Sequence, residues 1–270
     1  ALGAGLPYAA AMQKAVSAAD PEAGALLTSP NNTLAVEYLC ALNTLESTMQ
    51  PLAVLRAGGA HDSDVPEDGL PSASYLRKLI AQGDADACRS LMPEASFAAL
   101  TQAIEQGAAP VTRNAVDQAI LAHLRRLSPD KLARYCGGDG LEHRLRAAIR
   151  DNTSFASVCA AAQTRRYPLA RVRRALMRAW LDLPTSIPPT AAYVRVLAVG
   201  ARGRDILRRM KDTCALPVIV KPVTERTLPD ALQSALAHDA LADDLYALAY
   251  PDNALRVGGD HFRKSPFCLS

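Results

Sequence analysis

Aromatic residues are scarce in this 270-residue chain, at 5%, with one Trp. Ala instead makes up about one residue in five. An Ala-rich, aromatic-poor composition favours helix and argues against an all-β sandwich or barrel. No run of 18 apolar residues exists, so no membrane span and no membrane partner are expected. The N-terminus lacks a basic stretch ahead of an apolar one, so no signal peptide is expected either. Gly (15) and Pro (18) are not in excess, which excludes the fibre and low-complexity classes. The six cysteines, Cys40, Cys88, Cys136, Cys159, Cys214 and Cys268, stand tens of residues apart, and none forms a CxxC. The five histidines are equally dispersed, so a structural zinc site is not expected. Free buried thiols in a reducing cytoplasm are the reading.

What is present is unevenly distributed charge. Residues 1–100 carry 5 Lys/Arg against 11 Asp/Glu, residues 134–211 carry 16 against 5, and residues 212–270 carry 5 against 8. A basic middle between acidic ends implies a local anion-binding face, for which RNA is the natural partner. A solvated helical surface is the competing explanation.

Pattern divides the chain into three expected parts. In residues 1–100, Pro7 to Ala19 reads as helix, and Thr28–Thr33 as a polar turn. Leu34, Val36, Tyr38, Leu39, Leu42 and Leu45 form an amphipathic helical series. Leu52–Leu55 is an apolar run of strand length, and Ser72 starts another helix with a hydroxyl at its cap. Helix, strand, loop, helix is half of an α/β unit whose remaining strands must lie elsewhere. Residues 101–189 read as short helices broken at Gly107–Pro110, Ser128-Pro129, Gly137–Gly140, Tyr167-Pro168 and Pro184–Pro189. Residues 190–270 read as a small β-α-β unit, with strands at Tyr193–Val199 and Leu216–Val220, followed by a helix from Pro229 to Tyr250. The fold class expected is mainly α with α/β parts.

Several residues have the chemistry of anion and base recognition. Asn31, in Ser29-Pro30-Asn31-Asn32, can cap backbone amides or read a nucleobase or ribose edge. Arg56 follows an apolar strand, where an open α/β sheet binds anions, though a surface ion pair is an equal reading. Ser72, Ser74 and Arg77 put hydroxyls and a cation at a helix start, suited to a phosphate or to plain capping. Arg144, Arg146 and Arg150 cluster on one helix, and Arg165-Arg166-Tyr167-Pro168 leads into Arg171, Arg173, Arg174 and Arg178. Arg171, Arg174 and Arg178 share one face at i, i+3, i+7 spacing. Guanidinium groups suit phosphates and base stacking, and Tyr167 could stack on an exposed base or staple the helix start.

Taken in order, these blocks resemble one family. They are Gly5-Leu6-Pro7-Tyr8, Ser29-Pro30-Asn31-Asn32-Thr33-Leu34, Pro51 with Arg56, and Ser72-Ala73-Ser74-Tyr75-Leu76-Arg77. Gly140-Leu141-Glu142-His143-Arg144-Leu145, Thr164-Arg165-Arg166-Tyr167 and Arg171 with Arg174 continue the series. The chain is similar over nearly its whole length to the tRNA(Met) cytidine acetate ligases, a nucleotidyltransferase-like family.

The resemblance implies a remnant of a Rossmann-like nucleotidyltransferase domain in residues 1–100, a basic tRNA-binding helical domain in 101–189, and a small C-terminal α/β region. It implies ATP as substrate with Mg²⁺ bridging its phosphates. Acetate would be activated to acetyl-adenylate, and the wobble cytidine of elongator tRNA(Met) acetylated. Asn31 and Arg56 then become ATP contacts, with Ser72, Ser74 and Arg77 as further nucleotide contacts. Arg144, Arg165, Arg166, Tyr167, Arg171 and Arg174 become RNA contacts. The HxGH loop of the superfamily does not occur in these 270 residues. The chain is therefore expected to be the C-terminal portion of such an enzyme, inert alone, with no catalytic residue to name. Its open sheet edge could pair with a second copy. Two other readings stand: a non-catalytic RNA-binding module, and an adenylyltransferase acting on a small cofactor precursor.

Overall fold

The computed structural model describes residues 6, 8–55, 70–187, 190–220 and 229–269. The chain forms two compact units, one of Ala1–Gly58 with Gln163–Pro168, the other of Gly59–Ala162 with Leu169–Ser270. The architecture is mostly helical with a few short parallel strands.

The first unit contains helices α1 (Tyr8–Ala19), α2 (Pro21–Leu26) and α3 (Pro30–Thr44). Asp20 caps α2, its Oδ1 accepting from the N–H groups of Glu22 (2.9 Å) and Ala23 (3.0 Å). Pro21 occupies the first helical position, where its missing N–H costs nothing. Gly24 lies so close to α1 that a Cβ would meet Ser17 Oγ at 2.0 Å, so only Gly permits this approach.

Helix α3 has the expected apolar series but buries none of its residues, and Leu34, Tyr38, Leu39 and Leu45 are all exposed. The expected strand at Leu52–Leu55 is not formed. The segment is coil, with Leu52, Val54 and Leu55 at 90%, 83% and 95% exposure. Strand composition does not make a strand without a neighbour to accept its backbone hydrogen bonds, and among the described residues none pairs with it.

The second unit opens with α4 (Ala73–Ala81) and α5 (Glu94–Glu105). It continues through α6 (Asp117–Arg125), α7 (Pro129–Cys136), α8 (Leu141–Asp151), α9 (Phe155–Ala162) and α10 (Leu169–Trp180). The expected breaks are real. Ser128 caps α7, its Oγ accepting from Lys131 N–H at 3.3 Å, with Pro129 at the first position. Gly137 ends α7 at φ 90°, a conformation that costs Gly little.

Helices α6 to α10 close around a core of Ile120, Leu124, Leu132, Leu145, Phe155 and Leu176, each essentially inaccessible. This core follows from the 3.6-residue spacing of the apolar positions. His123, on α6, donates from Nε2 to the Ala179 carbonyl at 3.0 Å and meets the Trp180 ring edge-on.

The same unit ends in β1 (Val194–Arg195), β2 (Ala198–Val199), α11 (Ala201–Thr213), β3 (Val218–Ile219), α12 (Asp230–Ala247), α13 (Asp260–Arg263) and β4 (Phe267–Cys268). The expected β-α-β unit is formed: β1 and β3 are parallel, Val194 opposite Val218, with α11 between them in sequence. The expected strand over Tyr193–Val199 is instead two. Its second half, β2, pairs in parallel with β4, Ala198 opposite Phe267. A distant segment thus supplies the partner for that half, which no local pattern encodes.

Helix α12 packs Leu232 and Leu236 on Ile219 and Tyr193, and the Tyr193 hydroxyl donates to Asp239. The C-terminal segment is tied to α12 through His261 Nδ1 to Asp243 (2.7 Å) and Gly259 N–H to Asp244 (2.6 Å).

Candidate nucleotide and RNA sites

Asn31 is exposed on the first turn of α3, in the first unit. The capping role open to this Asn-Asn pair is not adopted: Ser29 stands at the cap with no side-chain hydrogen bond. Asn32 instead turns back, its Nδ2 donating to the Leu26 carbonyl at 3.0 Å. Thr33 Oγ1 donates to the Ser29 carbonyl at 3.2 Å. The turn into α3 is therefore braced from behind, and no side chain caps its first amides. Helix N-terminal amides without a side-chain acceptor attract anions. Arg56 lies outside the described residues.

Ser72, Ser74 and Arg77 belong to the second unit. Ser72 is buried, and its Oγ accepts the Tyr75 N–H at 3.0 Å, capping α4 as its position predicted. Ser74 and Arg77 are exposed on α4.

The arginines proposed for RNA divide into two kinds. Arg144 lies over the end of α9, donating from Nε to the Ala162 carbonyl (2.7 Å) and from Nη2 to the Ala161 carbonyl (2.9 Å). Arg171 pairs with Asp139 at 2.8 Å in the α7–α8 connection. Arg125 and Arg146 brace the ends of α6 and α8 reciprocally. Arg125 Nη2 donates to the Asn152 carbonyl (3.0 Å), and Arg146 Nη1 to the Arg125 carbonyl (2.9 Å). These guanidiniums answer orphan carbonyls at helix C-termini and complement the helix dipoles.

Arg174, by contrast, is exposed on α10, and Arg165 and Arg166 are exposed in the first unit. Tyr167 is 7% exposed and receives the Arg166 guanidinium 5.3 Å from its ring centre. Its N–H donates to Thr164 Oγ1 at 3.0 Å. Of the two roles open to Tyr167, local packing fits this placement, since a buried ring has no open face for a base.

Two features carry no sequence prediction. One is a cavity of about 600 Å³ in the second unit, lined by Tyr193, Arg195, Asp239, Asp243, Tyr246 and His261 among others. Its polar groups are largely joined to each other or to backbone: Tyr193 to Asp239, His261 to Asp243, and Arg195 to the His261 carbonyl at 3.0 Å. Burial and the Asp239 hydrogen bond hold the Tyr193 hydroxyl pKa well above its ordinary value. The other is the cation density of α11, inside the basic 134–211 stretch.

Among the described residues, no three or more His, Cys, Asp or Glu side chains converge as metal ligands. Among the described residues no helix is long and apolar enough to cross a membrane.

The helical bundle with its parallel α/β annex has a counterpart among solved structures. TmcAL from Thermotoga maritima in its apo form superposes with a TM-score of 0.86 at 23% identity, over 97% of this chain and 66% of that one. The same protein bound with alpha-thio ATP gives a TM-score of 0.86 at 22% identity, over 99% and 68%. These matches show that the chain shares the fold of that protein. The chain belongs to the HIGH Nucleotidyl Transferase family, whose model matches residues 1–259.

Sequence relatives include the tRNA(Met) cytidine acetate ligase of Alkaliphilus metalliredigens, 30% identical over 252 residues, covering 90% of this chain and 59% of the relative. That of Halothermothrix orenii is 29% identical over 249 residues, covering 88% and 59%. The chain thus spans about 59% of the length of these relatives.

Proposed function

We propose that this chain is part of an ATP-dependent tRNA(Met) cytidine acetate ligase acting in the cytoplasm. The carrying observation is that up to 90% of its length aligns with relatives bearing that name. In this reading an acetate oxygen attacks the α-phosphorus of ATP, and pyrophosphate leaves. The wobble cytidine amino group of elongator tRNA(Met) then attacks the acetyl carbonyl, and AMP leaves. No protein nucleophile is required, so the protein positions the reactants and balances charge.

Asn31 and the open amides of α3 take part of the nucleotide, with Arg56 on a phosphate; Ser74 and Arg77, in the second unit, are nucleotide contacts by family resemblance. The family's solved structure with alpha-thio ATP supports ATP as the nucleotide. Mg²⁺ would ride on the phosphates. Residues 101–189 serve as the tRNA-facing domain, with Arg165, Arg166 and Arg174 as its phosphate contacts. Arg144 and Arg171 brace the helices of the second unit, and Tyr167 packs locally against Arg166 in the first.

The test incubates the purified chain, supplemented with a separately expressed segment carrying the HxGH loop, with ATP, Mg²⁺, acetate and elongator tRNA(Met) transcript. Acetate-dependent AMP formation and acetylcytidine in the digested tRNA are the expected results. AMP formation with tRNA unmodified would point to another acceptor. Tight tRNA binding with no ATP turnover would point to a non-catalytic RNA-binding module.

A further inference from the structure

Helix α11 combines high positive charge with minimal burial. Over Ala201–Thr213 it carries Arg202, Arg204, Arg208, Arg209 and Lys211 against Asp205 and Asp212, and none of its residues is buried. Packing therefore does not account for its composition.

Helical spacing sorts these residues. Gly203, Leu207 and Met210, at i, i+4, i+7, are the only partly covered positions and form the inward side. At Gly203 a Cβ would stand 3.0 Å from Val199 Cγ2, so α11 lies close against β2. Arg204, Arg208 and Lys211 recur at i, i+4, i+7 along one flank. Arg202 and Arg209 recur at i, i+7 along the other, beside Ile206, which is 61% exposed. Asp205 and Asp212 lie between the flanks on the outward crest. Among the described residues only Arg208 of this helix is paired, with Asp205 at 2.6 Å on the surface. An exposed pair of this kind is weak and yields readily to a stronger anion.

The contrast with the helical bundle decides where free positive charge lies in this unit. Arg125, Arg144, Arg146 and Arg171 are held by carbonyls or by Asp139. Arg150 is held by Asp151 and Arg195 by the His261 carbonyl. Arg202, Arg204, Arg209 and Lys211 have no such engagement within ten residues of chain. Among the described residues, α11 therefore carries four cations without such a partner, more than α10, where Arg174 and Arg178 are without one.

We propose that α11 is an RNA phosphate-backbone contact, with the Arg204–Arg208–Lys211 flank as its main row and Arg202 and Arg209 as the second. The inference rests on the proposed tRNA-acting function and adds a surface to it. Arginine dominates four to one, as suits phosphate oxygens. No aromatic side chain stands on the helix to read a base, so the contact is positional and insensitive to sequence.

The experiment measures binding of elongator tRNA(Met) transcript by the full protein from 50 to 300 mM salt. Wild type is compared with Arg204→Ala/Arg209→Ala/Lys211→Ala and with Asp205→Asn/Asp212→Asn. Loss of three phosphate contacts lowers the slope of log affinity against log salt by about 2 to 3. The affinity of the triple variant should fall at least tenfold at 150 mM salt with unchanged thermal melting. Removing the crest carboxylates should tighten binding, a gain that damaged folding cannot imitate.

If wild type binds tRNA and all variants match it in affinity and slope, the inference is overturned while the functional reading stands. If wild type binds no tRNA, both fall. If the triple variant loses binding to phosphatidylserine vesicles but keeps tRNA, α11 serves a membrane surface, and the RNA assignment is overturned.

Discussion

Arg144 and Ala162 are joined across two helices: the guanidinium Nε, on α8, sits 2.7 Å from the carbonyl that ends α9. With Nη2 on the Ala161 carbonyl at 2.9 Å, one arginine satisfies two of the carbonyls that a helix terminus leaves open. This engagement changes what a substitution should do. Arg144→Ala should destabilise the protein by about 1–3 kcal/mol, the cost of losing charge-assisted bonds to backbone acceptors. The salt slope of tRNA binding should stay the same. Arg174→Ala, on an exposed α10 position, should do the reverse, leaving melting unchanged and reducing the slope by about 0.7–0.9. Thermal melts beside salt titrations check both; a slope change in Arg144→Ala would return that residue to the RNA surface.

Asn31 should separate binding from stability. Its side chain makes no cap, and Asn32 carries the bracing bond to Leu26. Asn31→Ala should therefore weaken ATP binding with a melting shift near zero. Asn32→Ala should cost about 1 kcal/mol of stability, as for loss of one local hydrogen bond. Arg56→Ala should cost on the order of 1.5–3 kcal/mol of nucleotide affinity if it pairs with a phosphate. Calorimetric ATP titration of the three variants, with melts in parallel, checks this. Destabilisation by Asn31→Ala with ATP affinity intact would make Asn31 structural.

Local signals carried much of the fold. Ser72 and Ser128 cap helices where a hydroxyl ahead of a periodic segment requires it, and Gly137 ends α7 in the left-handed conformation. The β-α-β unit followed from two β-branched runs around a helical one. Relationships between distant segments were not legible. Pairing of β2 with β4 joins residues some 70 positions apart, and Leu52–Leu55 has strand composition without a strand neighbour. Side-chain direction was the other gap. An arginine reaching a carbonyl on the next helix and one reaching solvent look identical in sequence, so Arg144 and Arg174 were grouped together. Where Ala161 and Ala162 end a helix beneath it, Arg144 has an internal partner; among the described residues nothing comparable faces Arg174.

The cysteines should divide by burial. Cys88, Cys136 and Cys159 are buried, and Cys40 and Cys268 exposed. Burial foremost, then the carboxylates of Glu142 and Asp139, push the Cys136 thiol up to about 12, with Arg171 opposing them. At pH 8 maleimide should label Cys40 and Cys268 rapidly and Cys136 only on unfolding. The sign of the pH effect follows. An unfolded Cys136 ionises near 9 while the folded one stays protonated, so the unfolded state binds fewer protons. Stability is whole below pH 9 and falls as pH rises from 9 towards 12. Denaturant melts at pH 8 and 10 on the protein and on Cys136→Ser check the contribution. A pH dependence identical in the two proteins would remove Cys136 as its source.

The two units should differ in protection against hydrogen exchange. Helix α8 buries Leu141, Leu145 and Ile149 completely, and its amides open only with the bundle around them. Helix α3 buries nothing, and Leu34, Tyr38, Leu39 and Leu45 face water along with Leu52 and Leu55. Packing of an apolar face supplies most of a helix's stability, so a 15-residue helix without it is close to marginal. Amides of residues 31–55 should therefore exchange orders of magnitude faster than those of 141–151. The measurement is exchange mass spectrometry of this 270-residue chain across a tenfold range of protein concentration. Fast exchange throughout that range is the expected outcome. Protection of 31–55 that grows with concentration would mean that a second copy covers the apolar side of α3. Protection equal to that of α8 at every concentration would mean that α3 is buried in solution.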